Sequence, residues 1–209
     1  GGLLIGVGLD EGGAMLLAVV LFALVLALIW RWVQPLPDPD RHEAEPHFML
    51  PNRASLALGL LAMMVMVVEG ASADWSALHL IQNTSATPAT AAAGFAAFSL
   101  AMAGCRFIGD AATARFGRVS VLRGGGVLIA LGFLVATLVP VAPLAAAGFG
   151  LIGLGAANIV PILIGAAARL PGVSPGAGVA AVTTIGYFGF LAGPPLIGLL
   201  AHGIGLAAS

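Results

Sequence analysis

The sequence contains no lysine, and charged residues of all kinds make up only 8% of its 209 residues. Soluble domains carry about 25% charged residues, so this composition excludes an ordinary soluble fold. Hydrophobic residues make up 60% of the chain, and the mean hydropathy is +1.08. The net charge is −1, which by itself says nothing about nucleic-acid binding. We therefore predict an all-α polytopic membrane helix bundle with the lipid bilayer, and no nucleic acid, as a partner.

Cysteine, metal-ligand patterns and nucleotide-binding motifs are equally scarce. Cys105 is the only cysteine, which excludes an intrachain disulfide and gives no sign of a thiolate metal cluster. No Walker or dinucleotide fingerprint occurs, which argues against an ATP-driven pump. No Ser/His/Asp or Cys/His set falls at one membrane depth, so we do not expect an enzyme. The sequence predicts neither a metal nor a cofactor.

Six apolar stretches are long enough to cross about 30 Å of hydrocarbon as helices that rise about 1.5 Å per residue. A Thr87-Pro88 pair should start the third helix, since threonine caps helices and proline fits their first turn. Pro161 should break the fifth span, and Gly193, Pro194 and Pro195 should interrupt the sixth. The predicted spans are 13–33, 54–75, 87–108, 119–139, 144–168 and 176–201.

The chain begins at Gly1 inside an apolar run, without a methionine, and stops soon after another such run. We therefore expect a piece of a longer protein. Residues 1–33 would end one group of helices, residues 34–53 would form a polar, proline-rich linker, and residues 54–209 would form a second group.

Arginine is distributed unevenly between the loops. If the spans alternate in direction, all of the arginines fall on one side of the membrane. The opposite loops then hold only acidic residues and histidines, among them Asp74 and His79. Because basic residues collect in cytoplasmic loops, the arginine side is predicted to be cytoplasmic.

Glu69 lies about two-thirds of the way through the second predicted span, where a carboxylate costs roughly 2.5 to 3.5 kcal/mol on insertion scales. Burial disfavours the charged form of a carboxyl group, so Glu69 could load and release a proton or bind a solute in a cavity. The alternatives are a neutral carboxyl that bonds to Ser72 or the backbone, and a carboxylate that snorkels to the outer surface. At helical spacing Glu69 shares its face with small and polar residues: Ser55, Gly59, Ala62, Met66, Ser72, Ala73 and Ser76.

Asn158 lies three residues before Pro161, whose missing N–H frees a carbonyl near Ala157. Broken membrane helices persist where they line a cavity or where neighbours satisfy the freed groups. Asn158 is therefore predicted either to bind a solute hydroxyl or to mend the break. Intramembrane threonine often bonds only to its own helix, and that alternative applies to the sixth span. Three polar residues of that span are candidates for the same cavity: Thr183, Thr184 and Tyr187.

The loop predicted between the third and fourth spans, residues 109–118, resembles the Gly-x-x-x-Asp-Arg-x-Gly-Arg-Arg motif of the major facilitator superfamily of secondary transporters. Arg115, Gly117 and Arg118 match its latter part. Asp110 stands where the leading glycine is expected, and alanine replaces the acid. The alternative to a gate is juxtamembrane charge that only sets topology. The resemblance implies a cytoplasmic gate made by Arg106, Asp110, Arg115, Gly117 and Arg118.

Three further strings, residues 69–76, 155–161 and 183–195, look like the fucose-permease-related branch of that superfamily. This resemblance implies the last helix of an N-terminal half, a cytoplasmic central linker, and a C-terminal half without its final helix. The missing part of the N-terminal half would be a partner within the same protein.

The implied function is secondary transport of a small polar solute, such as a sugar, across the cell inner membrane by alternating access coupled to protons. On its own the 209-residue chain is not expected to transport. A membrane receptor or assembly subunit with the same fold, which would not need Glu69, is the alternative.

Overall fold

A computed structural model describes residues 11–30 and 52–204, and in these ranges it contains helices and turns but no strand. The chain divides into two compact units, Gly1–Glu45 and Pro46–Ser209. The first unit contains helix α1 (Glu11–Ile29), which covers most of the first predicted span. The end of that span and nearly all of the predicted linker lie outside the described residues.

Within residues 52–204 the second unit contains six helices, and these give five membrane-spanning lengths because α5 and α6 together make one span. Five helices this long and apolar confirm the predicted all-α polytopic membrane bundle. The described part of α1 adds a shorter apolar stretch, Val19–Ile29. The six helices are α2 (Arg53–Thr84), α3 (Pro88–Phe116), α4 (Arg118–Leu138), α5 (Ala142–Ala156), α6 (Ile159–Ala167) and α7 (Pro175–Ile204).

Two of the helix starts follow from local sequence. The Asn52 side chain accepts a hydrogen bond of 2.7 Å from the Ser55 backbone N–H and so caps α2. The predicted start of the third helix is confirmed, because the Thr87 hydroxyl accepts from the Thr90 N–H at 3.3 Å and Pro88 occupies the first turn.

Glycine lets the helices approach closely. A Cβ added at Gly189 of α7 would press on Met63 of α2, and one added at Gly193 would press on Val67. The later residue of α7 thus meets the later residue of α2, so these two helices are parallel. Gly125 of α4 abuts the carbonyl oxygen of Gly155 on α5. Lipid gives apolar helices no hydrophobic reason to associate, so such close backbone contact is what holds a membrane bundle together.

The prediction of a loop at residues 109–118 is wrong. Helix α3 continues to Phe116, and only Gly117, at φ 79°, separates it from α4. The physical reason is that this segment is rich in alanine and contains no proline, so its charged residues do not stop the helix. The helix ends where Gly117 adopts a positive φ, which glycine does at little cost.

The predicted end of the second span at Trp75 is also too early. Helix α2 continues to Thr84, because the residues after Trp75 contain neither glycine nor proline to stop it. Asp74 and His79 therefore belong to the helix and not to a loop.

The predicted interruption of the last span does not occur. Helix α7 runs continuously through Gly193, Pro194 and Pro195. Proline removes a backbone donor, but neighbouring helices can hold a proline-containing helix in membranes. Here Pro194 packs on Gly70 of α2, whose missing side chain leaves room for the ring.

Candidate functional site

Glu69 lies on the face of α2 that turns into the bundle. Ser72 and Ser76 on the same face are fully buried, and Ser76 packs beside Gly94 of α3. The Glu69 Oε1 atom is buried, and within the described residues it has no hydrogen-bond partner. The Ser72 hydroxyl also has none there, so the predicted bond between Glu69 and Ser72 is not formed. Buried oxygens are nearly always hydrogen-bonded, so these two oxygens have hydrogen-bonding capacity that the described protein groups do not use.

Arg106 lies about ten residues before the end of α3, farther from the helix end than the predicted span, which ends at residue 108, places it. Helices α2 and α3 are antiparallel, and Gly94 contacts Ser76 and Leu80 where they cross. Counting about twelve residues along both helices from that crossing places Arg106 roughly one turn from Glu69. An arginine and a carboxyl group therefore lie at similar heights along the bundle.

The break in the fifth span lies next to Arg106. Helix α5 ends at Ala156, and α6 begins at Ile159. Pro161 cannot donate to the Ala157 carbonyl, and the Arg106 Nε–H donates to that oxygen instead, at 3.3 Å. The predicted break and the predicted freed carbonyl near Ala157 are both confirmed, and the group that satisfies this carbonyl comes from another helix.

Asn158 ties the same break to α3. Its side-chain amide nitrogen donates to the Cys105 carbonyl oxygen at 3.3 Å and contacts the Cys105 sulfur at 3.3 Å. Its side-chain oxygen lies against Gly109, where an added Cβ would overlap it. These contacts attach the break to α3, but the freed Ala157 carbonyl is bound by Arg106 and not by Asn158.

The polar residues predicted on the last span do not join Glu69. The Thr183 hydroxyl donates to the Val179 carbonyl oxygen of its own helix at 2.8 Å, which is the alternative predicted from sequence. Thr184 and Tyr187 are exposed. The neighbouring Gly186 packs on Ala62 and Met66, so these three residues lie at the depth of the first half of α2.

The predicted gate residues divide into two groups. Asp110 and Arg118 line one cavity of about 180 Å³, and Arg169, which follows α6, joins them there. In the described part of the chain no ion pair joins Asp110 to either arginine. Arg115 instead lies over the Phe116 ring, 5.5 Å from its centre. Sequence reasoning did not place Arg169 in the gate, although it is the only charged residue between α5 and α7.

His79 was predicted in an outer loop, but it is buried between three helices. Its Nε2 atom lies 3.0 Å from the Ala136 carbonyl oxygen, which can only accept, so Nε2 carries the proton. Its Nδ1 then accepts from the Asn83 side-chain amide at 3.1 Å. The ring also meets the Phe149 ring edge-on. Both ring nitrogens are thus satisfied in the neutral form. No cluster of three His, Cys, Asp or Glu side chains suited to a metal occurs within the described residues.

Three curated bacterial proteins are similar to most of this chain. An uncharacterized MFS-type transporter of Yersinia pestis is 35% identical over 203 residues, which are 95% of this chain and 51% of that protein. The membrane protein MosC of Rhizobium meliloti is 36% identical over 184 residues, 87% of this chain and 45% of that protein. The uncharacterized transporter y4wD of Sinorhizobium fredii is 35% identical over 154 residues, 74% of this chain and 41% of that protein.

No family model and no solved structure matches the chain. The chain spans about half the length of the curated relatives it matches. None of their names mentions a fucose permease, so the narrower branch stays a prediction. The five membrane-spanning lengths and the similarity to an MFS-type transporter over nearly the whole chain lead to one conclusion: the chain belongs to the major facilitator superfamily.

Proposed function

We propose that the full-length protein is a secondary transporter of a small polar solute, such as a sugar, in the cell inner membrane. It works by alternating access, and solute movement is coupled to protons. Two of the three relatives are named transporters, which supports transport as the activity. In this proposal the full-length protein is about as long as its relatives, and this chain is about half of it.

Glu69 is the observation that carries the proposal. A half-buried carboxyl group in the middle of a membrane-spanning helix is costly, and such groups mark solute paths and proton relays. Its buried oxygen lacks a protein partner in the described residues. The group therefore remains free to exchange a proton with water in a cavity that opens to one side of the membrane and then to the other.

Asp110, Arg118 and Arg169 form the gate in this proposal. They come from three different helices or helix ends and surround one small cavity. Opposite charges that pair in one state and separate in the other make a two-state element. The end of the bundle that holds them is the arginine-rich end, which faces the cytoplasm by the positive-inside rule.

The test uses the full-length protein in proteoliposomes with an imposed pH gradient. The vesicles are incubated with a defined mixture of polar metabolites, and the accumulated compounds are identified by mass spectrometry. The wild type should accumulate at least one compound, faster when the gradient is present. Glu69→Gln should lose most of that gradient-driven component, because an amide cannot carry the proton.

Asp74→Asn is the matched control, since Asp74 is an exposed acid of the same helix and its variant should behave like the wild type. A wild type that accumulates nothing contradicts transport and favours a receptor or assembly subunit. Accumulation that is equally gradient-dependent in Glu69→Gln contradicts the role given to Glu69.

A further inference from the structure

Helix α3 carries an exposed polar stripe that became visible only once the helix was seen to extend to Phe116. The stripe is separate from the most lipid-like face of the helix, where Leu100 is 74% exposed and Phe107 is 90% exposed. A polar stripe on a membrane helix faces protein or a water-filled cavity, because acyl chains cannot satisfy it. At helical spacing it consists of the exposed Arg106 and Asp110 and the half-buried Ser99 and Thr113.

Arg106 is the cation in the middle of this stripe. Its Nε–H is bound to the Ala157 carbonyl oxygen, which fixes the guanidinium beside the helix break. In the part of the chain that the structure describes, its two terminal nitrogens have no hydrogen-bond partner. Four N–H donors in a planar fork thus remain for another group. A fork of this kind matches the two oxygens of a carboxylate.

One guanidinium at this height of the bundle matches a monoanion better than a dianion. The other described arginines lie at helix ends or near them, so among the described residues Arg106 is the positive charge nearest in height to Glu69. A phosphate monoester carries about −1.5 to −2 charges at neutral pH, which one guanidinium does not balance. A carboxylate carries one charge and is balanced by one guanidinium.

We propose that Arg106 binds a carboxylate group of the transported solute, so that the solute is a small organic acid such as a sugar acid. The inference rests on the proposed transport function and names its substrate class. It also places Arg106 in the solute site and removes it from the cytoplasmic gate.

The proposal links solute binding to the proton. The acidic groups nearest in height to Arg106 are Glu69 of α2 and Asp110, which is one turn along α3, whereas α5 and α6 contain no charged residue. Helix α4 carries Arg118 and Arg123 near its start, and the titratable groups of α7 are Tyr187 and His202. A deprotonated Glu69 attracts the guanidinium and competes with the solute, and a protonated Glu69 does not. Acid binding by the wild type should therefore weaken as the pH rises through the titration of Glu69.

The experiment measures the thermal unfolding of full-length protein with titrated galacturonate, gluconate or lactate. Each acid is paired with an uncharged counterpart: galactose, glucose or lactamide. At least one acid should raise the unfolding temperature of the wild type more than its counterpart does. Arg106→Gln should weaken that acid roughly ten- to a hundredfold, as expected for hydrogen bonds to a charged group.

Two controls keep the result readable. Arg115→Gln removes an arginine from the end of the same helix and should bind the acid like the wild type. Arg106→Lys keeps the charge but loses the fork, so it should fall between the wild type and Arg106→Gln, and it replaces that variant if the latter does not fold. Glu69→Gln should bind the acid with little pH dependence.

The outcomes separate this inference from the transport function. If no acid is bound better than its counterpart, or if Arg106→Gln binds the acid as tightly as the wild type, the carboxylate site is refuted, whether or not vesicles transport a neutral solute. Acid binding that depends on Arg106, in a protein that accumulates nothing in vesicles, would support the site and refute transport.

Discussion

Three consecutive glycines in α4, Gly124, Gly125 and Gly126, make the packing of the bundle testable one position at a time. A Cβ added at Gly125 would lie 2.5 Å from the Gly155 carbonyl oxygen and 3.1 Å from Ile159. A Cβ at Gly124 or Gly126 would meet nothing within 4 Å. Alanine can therefore be placed on and beside the contact without changing the helix in which it sits.

The magnitude follows from two opposing effects. Alanine is favoured over glycine in a helix by about 1 kcal/mol, and this gain applies at all three positions. At Gly125 the added methyl group would also meet a backbone oxygen that cannot rotate away, so α4 and α5 must separate. Overpacking of this kind costs about 1 to 3 kcal/mol. The helix gain is common to the three variants. It therefore cancels when the unfolding free energy of Gly125→Ala is compared with that of Gly124→Ala or Gly126→Ala, and the overpacking cost remains.

The assay is thermal unfolding of the purified full-length protein in detergent, with the three alanine variants compared at one scan rate. Gly124→Ala and Gly126→Ala should unfold at or above the wild-type temperature. Gly125→Ala should unfold lower than both by a few degrees, on the order of what 1 to 3 kcal/mol produces in a protein of this size or larger. If all three variants unfold together, α4 and α5 do not meet at Gly125, and the described packing is wrong.

Two further substitutions test contacts around the site. Gly109→Ala should destabilise the protein because its Cβ would overlap the Asn158 side-chain oxygen, whereas Gly104→Ala on the same helix meets nothing; equal unfolding temperatures would contradict the contact. His79→Phe should lower stability by about 1 to 3 kcal/mol, because it leaves the buried Ala136 carbonyl without its donor. His79→Gln, which retains a donor, should recover part of that loss, and a fully stable His79→Phe would exclude a contribution from this bond.

Local features that act within a few residues were predictable. The cap at Thr87 depends on its own hydroxyl and on the proline that follows. The break before Pro161 follows from the donor that proline lacks. The inward-facing stripe of α2 followed from helical spacing, since Ser55, Ser72 and Ser76 are all buried.

Helix ends and partners across helices were not predictable in the same way. Charge density suggested a loop in a segment where α3 in fact continues. It misled because alanine-rich helices can carry charged residues to their ends. The Pro194-Pro195 pair suggested a break that packing on α2 prevents. The position of Arg106 near Glu69 depends on where α2 and α3 cross, and no local pattern encodes that crossing.

The sequence by itself determined that this chain is a membrane helix bundle with a costly acid in one span. Hydropathy, proline and capping act through the backbone of a single helix, so a linear chain displays them. The tertiary structure alone decided which groups meet that acid and that break. Arg106 reaches Ala157 and the neighbourhood of Glu69 because glycine-lined helices approach closely in a fixed register, and that register comes from many contacts between distant residues.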